Sequence, residues 1–446
     1  MNAALARGLY FTLQRLRGEP LASALEDVRR CERLSLDELR ALQASRQRAQ
    51  LHFALEHVPR YQHTLGSLRS EIARARDWDS VNAIMQRLPI VEKGSVMDQP
   101  ADFTARTKEP LTTYADKTSG SSGTPVVFPC DQRAWAYRHA LMHRGMEAFG
   151  IQIGEPYALF FGLHWDARAR AHVAVRDRVL NRVRVSAYDI GPAKLDAHYA
   201  AIRRRRPTHF QGYPSAVFEF CTLAMNAGVD LRELRLKAVV TTAEPLRAAQ
   251  REVIERATGA PCMDSYGSSE SGVLAIECPA GGLHTTPEAT WLELRDTQTH
   301  RGEAIVTDMM LRAFPMIRYA LGDEIVLRAG TCACGRNQPM LASIEGRSGQ
   351  PIELPNGRII NPNVPSYIFK PLAALGVIRR YRFVQRGSEL ELLLSVTGNF
   401  TSSHLELVRR ETLIAFGGDL VLKISVVDEI PHLTNAKHRD YVRLDG

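Results

Sequence analysis

Three features of the sequence predict an α/β protein with a large N-terminal domain and a small α+β C-terminal domain. The chain has 446 residues, too many for one ordinary domain. Helical and strand patterns alternate between residues 130 and 275, which is typical of parallel strands joined by crossover helices. A separate mixed pattern begins after Arg347. We therefore expect one domain over residues 1–347 and a second over residues 348–446.

The first 60 residues have the periodicity of helices. Leu36 and Leu39 begin a series of apolar residues at three- and four-residue steps, which places them on one helix face. Ser35 followed by Glu38 is a capping-box pattern, so we expect a helix to begin there. These residues predict a helical lead-in to the large domain.

The extreme N-terminus, Met1 to Leu16, alternates arginines with apolar residues. It lacks the continuous apolar core and the cleavage site of a signal peptide, so we expect it to be part of the mature protein. An amphipathic helix that contacts a membrane or a partner is the alternative interpretation. Because no apolar run approaches the roughly 18 residues needed to span a bilayer, we expect no transmembrane segment.

Between residues 130 and 275, predicted strands and helices follow one another in turn. The expected strands are 157–161, 208–212, 238–242 and 262–265, and the expected helices are 133–149, 195–204, 216–226 and 247–258. Polar turns directly follow three of these strands, at 212–215, 242–245 and 266–270. Ligands of parallel sheets bind at the carboxyl ends of strands, so these turns are candidates for a binding site.

The pattern changes twice after residue 290. Short alternating strands such as 291–294 and 304–307 predict a small β unit between residues 290 and 345. Beyond Arg347, about 100 residues of mixed pattern predict a small α+β domain. Its expected strands are 383–385, 389–396 and 420–427, and its expected helix is 403–415.

Composition and charge indicate a soluble globular protein, with 45% hydrophobic and 24% charged residues. The formal charge is +8, and the densest cluster is Arg203–Arg206. Because no aromatic residues interleave with these arginines, we expect no nucleic-acid partner and interpret the cluster as a solvated helix end. An anionic substrate or a carrier protein would also be attracted by this charge. Seven cysteines are too few for a disulfide scaffold, so the expected location is the reducing cytoplasm.

One segment of the chain is an unusual loop of glycines and hydroxyl side chains. Its residues are Thr118, Ser119, Gly120, Ser121, Ser122, Gly123, Thr124 and Pro125. Such a segment has no apolar mass to bury and many hydrogen-bond donors, which suits a polyphosphate. The apolar residues 126–128 predict a strand that fixes the loop. A Gly/Ser linker is the alternative interpretation.

Six segments, taken in order, resemble those of the adenylate-forming superfamily. They are TSGSSGTP (118–125), TTAEP (241–245), YGSSE (266–270), RYALGD (318–323), EGR (345–347) and the late lysine Lys437. The resemblance is to the phenylacetate–CoA ligase-like branch, including its capsule-biosynthesis relatives, and it extends from about residue 30 to the end. It implies a large adenylate-forming N-terminal domain followed by a small mobile C-terminal lid domain.

The resemblance implies that several residues bind ATP. The 118–124 loop would hold the β- and γ-phosphates. Ala243, Glu244 and Pro245 would flank the adenine. Tyr266, with Gly267 beside it, would stack on the base, which is a contact through the ring face.

The resemblance also implies a catalytic set. Ser269 and Glu270 match a Thr-Glu pair near the α-phosphate, where the glutamate helps to hold Mg²⁺. Asp323 would accept hydrogen bonds from both ribose hydroxyls, and Arg347 would lie near the ribose. Lys437 would bridge the attacking carboxylate and the α-phosphate and neutralise charge as it develops.

Two positions depart from the family's pattern. Gly349 stands where an acidic hinge residue is usual, and glycine can still absorb a large backbone rotation. Asn435 and Ala436 precede Lys437, where a glycine usually precedes the lysine. Both departures lie in the C-terminal domain, so they concern the second half-reaction more than the first.

A second pattern joins three cysteines and one histidine: Cys278, His284, Cys332 and Cys334. Three thiolates and one imidazole suit tetrahedral Zn²⁺, although the spacing is not that of a zinc finger. Cys and His recur at these places in some members of the branch that the chain resembles, which favours structural zinc. Buried cysteines with a surface histidine are the alternative. The other four cysteines are expected to be buried thiols: Cys31, Cys130, Cys221 and Cys262.

The sequence therefore predicts an AMP-forming acid–thiol ligase. A small-molecule carboxylic acid would react with ATP to give an acyl-adenylate and pyrophosphate, and a thiol would then displace AMP. Coenzyme A is the expected thiol; a carrier-protein thiol, an amine acceptor or a degenerate nucleotide-binding scaffold are the alternatives. Five residues are candidates to line the acyl pocket: Phe161, His164, Trp165, Tyr213 and Ser215. An aromatic acid would fit these side chains, which could equally belong to the core.

Overall fold

A computed structural model of the chain shows a large α/β portion followed by a small α+β portion. It describes residues 2–108, 111–117, 127–161, 167–187, 190–296, 299–347, 352–354, 359–360, 364, 368–369, 372, 377–417, 420–428, 430 and 441–444. The Gly/Ser loop at 118–124, the candidate pocket residues His164 and Trp165, the hinge position Gly349 and Lys437 lie outside the described residues.

Helices make up the first hundred residues and recur between the strands of the main sheet. In chain order they are α1 (Ala3–Leu16), α2 (Leu21–Cys31), α3 (Leu36–His57), α4 (Pro59–Leu65), α5 (Arg69–Arg74), α6 (Trp78–Arg87), α7 (Lys93–Asp98), α8 (Pro100–Phe103), α9 (Gln132–Ala148), α10 (Ala167–Val179), α11 (Leu195–Arg205), α12 (Pro214–Asn226), α13 (Ala248–Thr258) and α14 (Ser402–Phe416). The predicted capping box is confirmed, because Ser35 and Glu38 exchange side-chain-to-backbone hydrogen bonds at the start of α3.

Strands begin after residue 112. In chain order they are β1 (Thr113–Lys117), β2 (Val127–Asp131), β3 (Tyr157–Phe161), β4 (Arg182–Ser186), β5 (His209–Gly212), β6 (Ala238–Thr242), β7 (Cys262–Ser268), β8 (Gly272–Glu277), β9 (Leu283–Thr285), β10 (Thr290–Leu294), β11 (Arg301–Asp308), β12 (Tyr319–Arg328), β13 (Met340–Arg347), β14 (Ile352–Glu353), β15 (Ile359–Ile360), β16 (Ile378–Arg386), β17 (Glu389–Val396), β18 (Val421–Val426) and β19 (Tyr441–Arg443).

One large mixed sheet contains eleven of the described strands, in the order β10-β11-β12-β13-β9-β8-β7-β6-β5-β3-β4. The five strands from β4 to β7 pair in parallel. Helices connect them, so the alternation predicted between residues 130 and 275 is confirmed. The polar turns predicted to follow these strands therefore meet at one edge of the sheet.

The antiparallel strands predicted after residue 290 continue this same sheet. β9 pairs with both β13 and β8 and so links the two parts. β7 runs to Ser268, three residues beyond the predicted end, because it pairs with antiparallel β8 after its parallel pairing with β6 stops at Ser265. Tyr266 and Gly267 consequently lie on a strand and not in the predicted turn.

Apolar clusters cover both faces of the sheet. Ala238 and Val240 of β6 belong to one buried cluster, whereas Val239 belongs to the other. Successive side chains of a strand point to opposite faces, so this division shows packing on both sides. Strand β6 is therefore buried on both faces, as is usual for a parallel sheet.

The C-terminal portion has a sheet and an apolar core of its own. Its four main strands lie in the order β18-β17-β16-β19, and α14 packs against β18. Phe383 and Phe416 are buried in this core with their ring centroids 4.9 Å apart. These features support the predicted small α+β domain, and the domain boundary at Arg347 stays a prediction.

Two smaller predictions, on the cysteines and on the arginine cluster, are confirmed. The four cysteines expected to be buried thiols are buried. Arg203, Arg204 and Arg206 are exposed around the end of α11, as expected of a solvated helix end. Among the described helices, none combines the length and the apolar character needed to cross a bilayer.

Candidate active site

Two of the predicted polar turns are joined by hydrogen bonds at the carboxyl edge of the parallel strands. The backbone N–H of Ser215 donates to Oε2 of Glu244, and its hydroxyl donates to Oε1, each over 3.1 Å. Glu244 follows β6, and Ser215 lies in the first turn of α12 after β5. The predicted adenine-flanking segment is therefore fixed to the neighbouring strand's turn.

Ala243 adopts a left-handed backbone conformation, with φ of 69°. This conformation costs a residue with a Cβ about 1–2 kcal/mol and is maintained only where the surroundings determine it. The contact between Glu244 and Ser215 is such a constraint, because it anchors the next residue from two directions. Strain of this kind concentrates at functional sites, which agrees with the role predicted for Ala243.

The residues predicted to contact the adenine and the ribose are hydrogen-bonded to each other. The phenol of Tyr266 on β7 donates a hydrogen bond of 2.9 Å to Oδ2 of Asp323 on β12. Both side chains are buried. Asp323 is also the register partner of Arg347 across β12 and β13. The fold therefore brings together three residues that were predicted from separate segments. Tyr266 and Asp323 meet through their side chains, and the backbone of Arg347 lies beside that of Asp323.

Glu270, the predicted Mg²⁺ ligand, is enclosed in the turn between β7 and β8. Only 1% of the residue is exposed, and its Oε2 has no hydrogen-bond partner among the described residues. Leaving a carboxylate oxygen buried and unpaired is costly, and buried charges are normally paired or bind a metal. The side chain therefore has the burial and the open acceptor that a cation ligand requires.

Arg138 of α9 holds the turn that carries Glu270. Its Nη1 donates to the carbonyl of Ser269 over 2.9 Å, and its Nη2 donates to the carbonyl of Glu270 over 3.2 Å. The same guanidinium lies 3.3 Å from the carboxylates of Asp116 and Asp308. Burial raises the pKa of Asp308, and the charge of Arg138 opposes that rise. Arg138 therefore links α9 to the predicted catalytic turn.

Gly272, at the end of the same turn, leaves room for this arginine. Its φ is +69°, and a Cβ at this position would lie 2.6 Å from Cγ of Arg138. Arg138 is not predictable from a local motif, because its partners lie 22, 131, 132 and 170 residues away in the sequence.

A partly buried carboxyl lies on β7 near the predicted nucleotide contacts. Thr241 on β6 donates a hydrogen bond of 2.7 Å to Oδ1 of Asp264 on β7. Burial raises the pKa of Asp264 to about 6, and the hydrogen bond from Thr241 opposes that rise. Asp264 lies two residues before Tyr266, so it supports the strand that presents the tyrosine.

The candidate acyl-pocket residues lie partly together. The rings of Phe161, at the end of β3, and Tyr213, after β5, have centroids 4.5 Å apart. Tyr213 is buried and belongs to the apolar cluster on one sheet face. These two rings therefore lie at the same strand edge as the Ser215–Glu244 contact, and their role in acid binding stays a prediction.

The four predicted zinc ligands meet at one point: Cys278, His284, Cys332 and Cys334. Their ligand atoms all lie within 4.8 Å of one another. Sγ of Cys278 is 3.6 Å from Sγ of Cys332, and Sγ of Cys334 is 3.2 Å from Nε2 of His284. Thiolates at about 2.3 Å from a tetrahedral zinc are about 3.8 Å apart, so the set fits a zinc ion.

The surroundings of this cluster suit a structural metal site. Nδ1 of His284 lies 3.1 Å from the carbonyl of Gln338, a contact that leaves Nε2 facing the thiols. A Cβ on Gly282 would lie 2.7 Å from Sγ of Cys332, so only glycine fits beside it. Cys278 follows the opposite end of β8 from Glu270, about 20 Å away for a six-residue strand. The cluster is therefore separate from the predicted nucleotide site.

Comparisons with known proteins support the resemblance drawn from the motifs. A phenylacetate-coenzyme A ligase from Thermus thermophilus is 25% identical over 395 residues, covering 83% of this chain and 84% of that protein. Protein CapK from Staphylococcus aureus is 23% identical over 247 residues, covering 55% of this chain and 54% of CapK. No protein-family model matches the chain.

A solved structure has the same fold over nearly the whole chain. It is a 2-hydroxyisobutyryl-CoA ligase in complex with 2-HIB-AMP and CoA, with a TM-score of 0.64. The match is 19% identical and covers 93% of this chain and 92% of that ligase. At this identity the likeness shows the fold, and it confirms the large α/β portion with a small C-terminal one.

Proposed function

Because this chain is an AMP-forming ligase of the phenylacetate–CoA ligase-like branch of the adenylate-forming superfamily, we propose that it activates a carboxylic acid with ATP and transfers the acyl group to coenzyme A. In the first step a carboxylate oxygen forms a bond to the α-phosphorus of ATP while the bond to the bridging oxygen breaks and pyrophosphate leaves. In the second step the thiol loses its proton to solvent and its sulfur bonds to the acyl carbon, while the bond from that carbon to the phosphate oxygen breaks and AMP leaves with the electron pair.

The hydrogen bond between Tyr266 and Asp323 is the observation that carries this proposal. It joins the residue proposed to stack on adenine to the residue proposed to bind the ribose, at the edge where α/β sheets bind ligands. Ala243 and Glu244 lie on the adjacent strand end. The buried Glu270 lies two residues beyond the end of β7. These residues together support a site shaped for a nucleoside with its α-phosphate near Glu270.

Glu270 is the residue that we propose to hold Mg²⁺. Its buried, unpaired carboxylate oxygen fits the oxygen ligands that this cation prefers. When bound there, Mg²⁺ would offset negative charge on the phosphates. Arg138 would keep Glu270 in place through the two turn carbonyls. Ser269 precedes Glu270 in the same turn, and we propose that its hydroxyl lies near the α-phosphate.

The remaining steps use segments whose roles rest on the family resemblance. We propose that the 118–124 loop binds the leaving pyrophosphate through its backbone N–H groups and hydroxyls. Lys437 would lie between the attacking carboxylate and the α-phosphate, where its charge stabilises the transition state. Arg347, next to the predicted hinge, would remain near the ribose while the C-terminal domain moves.

The Cys/His cluster is proposed to bind a structural zinc ion. The spacing of its four ligand atoms and the close fit of Gly282 support this assignment. The cluster would fix the loop between β12 and β13 to β8 and β9. Its distance from Glu270 separates it from the chemical steps.

Product analysis with a panel of aromatic and aliphatic carboxylic acids tests the proposed reaction. With the right acid, ATP and coenzyme A, the wild type should form AMP, pyrophosphate and an acyl-CoA thioester, measured by chromatography and mass spectrometry. AMP formation that requires an acyl-carrier protein or an amine, with none from coenzyme A, would assign the acceptor differently. ATP binding without AMP formation for any acid would indicate a nucleotide-binding scaffold.

Lys437→Ala separates the proposed catalysis from nucleotide binding. We expect loss of adenylation by at least about 100-fold, with ATP binding within a few fold of the wild type. Lys423→Ala is the matched control, because Lys423 is an exposed lysine on β18 of the same C-terminal portion. If Lys437→Ala retained wild-type turnover with the true acid, the assignment of Lys437 would be wrong.

A further inference from the structure

Helix α1 leaves all of its leucines exposed, which is unusual for a surface helix. It packs on the protein through Ala6 and Gln14, which are buried, and through Tyr10 and Phe11, which are partly buried. Its four leucines point away from the core: Leu5, Leu9, Leu13 and Leu16 are 58%, 39%, 42% and 78% exposed. A surface helix normally buries its leucines and exposes its glutamines, so the exposed face of α1 calls for a binding partner.

The exposed leucines form one continuous stripe. They follow one another at steps of four, four and three residues, which places them on one helix face. Exposed leucines scattered singly are ordinary, but four on one helix make a patch. An apolar stripe of this shape fits a partner whose surface is flat over the length of α1.

Contacts on the opposite side keep α1 from turning its leucines inward. The turn at Gly154 lies so close to α1 that a Cβ there would be 2.4 Å from the carbonyl of Ala3 and 2.6 Å from the backbone nitrogen of Arg7. The hydroxyl of Tyr10 lies 3.3 Å from Nε2 of His143. These contacts fix the helix on the protein and leave the leucine face outward.

The surroundings of α1 are positively charged. The helix carries exposed Arg7 and Arg15 and no acidic residue. The carbonyl of Gly154 accepts a hydrogen bond of 3.0 Å from Nδ2 of Asn181. Asn181 lines a neighbouring cavity of about 410 Å³ that contains three arginines and no acidic side chain: Arg178, Arg204 and Arg205. The complementary partner is therefore apolar at its surface and carries negative charge.

We propose that α1 lies on an anionic lipid surface, with its leucines at the boundary between headgroups and acyl chains. Interfacial helices have this combination of an apolar face and arginines without acidic residues. A second copy of the chain fits less well, because the four leucines together expose about the surface of two free leucines. Each partner of a standard protein interface buries roughly 800 Å², which is well above that area.

Sedimentation of the full-length protein with lipid vesicles tests this proposal. We expect binding to vesicles of phosphatidylcholine mixed with phosphatidylglycerol, weaker binding to phosphatidylcholine alone, and a decrease with added salt. Leu5→Gln combined with Leu16→Gln should weaken binding at least about tenfold. These two leucines are the most exposed of the four, so the change should leave folding intact. Leu36→Gln is the matched control, since Leu36 is 42% exposed at the start of α3.

Three outcomes would overturn the proposal. The first is wild-type protein that does not sediment with the anionic vesicles. The second is wild-type binding by both the Leu5/Leu16 variant and a variant that combines Leu9→Gln with Leu13→Gln. The third is a dimer, detected by light scattering without lipid, that the Leu5/Leu16 variant abolishes; the partner would then be a second copy. Circular dichroism and acid-dependent AMP formation report whether each variant is folded.

Discussion

The phenol of Tyr266 donates a 2.9 Å hydrogen bond to Oδ2 of Asp323, although 57 residues separate the two in sequence. Both groups are buried, so the bond to a carboxylate is stronger than one between neutral groups and it fixes the orientation of Asp323. A carboxylate offers about four acceptor positions, of which the phenol of Tyr266 occupies one. Tyr266 can therefore orient Asp323 towards the two hydroxyls of a ribose.

Tyr266→Phe tests this orienting role while it keeps the ring. We expect KM for ATP to rise about tenfold, since one hydrogen bond to a charged group contributes about 1.5–3 kcal/mol. KM for the acid should change little. Tyr137→Phe is the matched control, because the phenol of Tyr137 also donates to a carboxylate, that of Asp27, over 2.7 Å. Equal effects of the two variants on KM for ATP would show that the Tyr266 bond is only structural.

Arg138→Lys tests whether the turn at Ser269 and Glu270 must be held in place. A lysine keeps the charge but cannot donate to both carbonyls and both carboxylates from a planar fork. We expect the rate of acid activation to fall about tenfold to a hundredfold, with nucleotide affinity changed less. Arg144→Lys is the control, because Arg144 is a buried arginine of the same helix that pairs with Glu288. Arg144→Lys should reduce stability and leave the rate largely unchanged.

The metal content of the purified protein tests the Cys/His cluster. We expect close to one zinc per chain by mass spectrometry, and loss of that zinc with a lower Tm in Cys332→Ser. Cys221→Ser is the control, because Cys221 is a buried cysteine away from the cluster. Fewer than one zinc in ten chains, with an intact fold, would contradict the assignment.

The pH dependence of stability should report a buried histidine. Burial lowers the pKa of His209 to about 3, whereas an unfolded histidine titrates near 6.5. The unfolded chain thus binds a proton at pH 5 that the folded chain does not. Stability is therefore lost as the pH falls from about 6.5 towards 3.

His209→Phe should remove this contribution while it preserves the stacking on Tyr157, whose ring centroid is 5.0 Å away. Between pH 7.5 and pH 5, the variant should lose about 2 kcal/mol less free energy of unfolding than the wild type. Urea denaturation at the two pH values measures the difference. Equal losses in both proteins would contradict the burial of a neutral imidazole.

Local patterns in the sequence predicted the elements well, because alternation and turn residues act over a few positions. The strands of the parallel sheet and the capping box at Ser35 and Glu38 are examples. The predicted end of β7 at residue 265 is too early, because the last residues of the strand are held by pairing with β8 and not by their own propensity. The continuation of the sheet through β9 also depends on pairing between distant segments, which periodicity cannot reveal.

Several residues of the candidate site could be predicted from local motifs, but the contacts between them could not, because those contacts join distant segments. Tyr266 and Asp323 were found through separate motifs, but their hydrogen bond is a tertiary contact that neither motif contains. The four metal ligands were found because cysteine and histidine are chemically distinctive. Arg138 was missed because one arginine among 57 basic residues carries no local signal. An amphipathic helix was the alternative interpretation of residues 1–16, but its outward leucine face could not be assigned, because a sequence does not state which helix face is packed.

Pyrophosphate exchange into ATP tests the central claim most directly, because it reports adenylate formation alone. In the presence of the right carboxylic acid, the wild type should exchange labelled pyrophosphate into ATP, and without acid it should not. Glu270→Gln should lower this exchange about a hundredfold without reducing stability, because it neutralises a buried carboxylate whose Oε2 has no hydrogen-bond partner among the described residues. Exchange that does not depend on any acid, or that persists at the wild-type rate in Glu270→Gln, would contradict adenylation at this site.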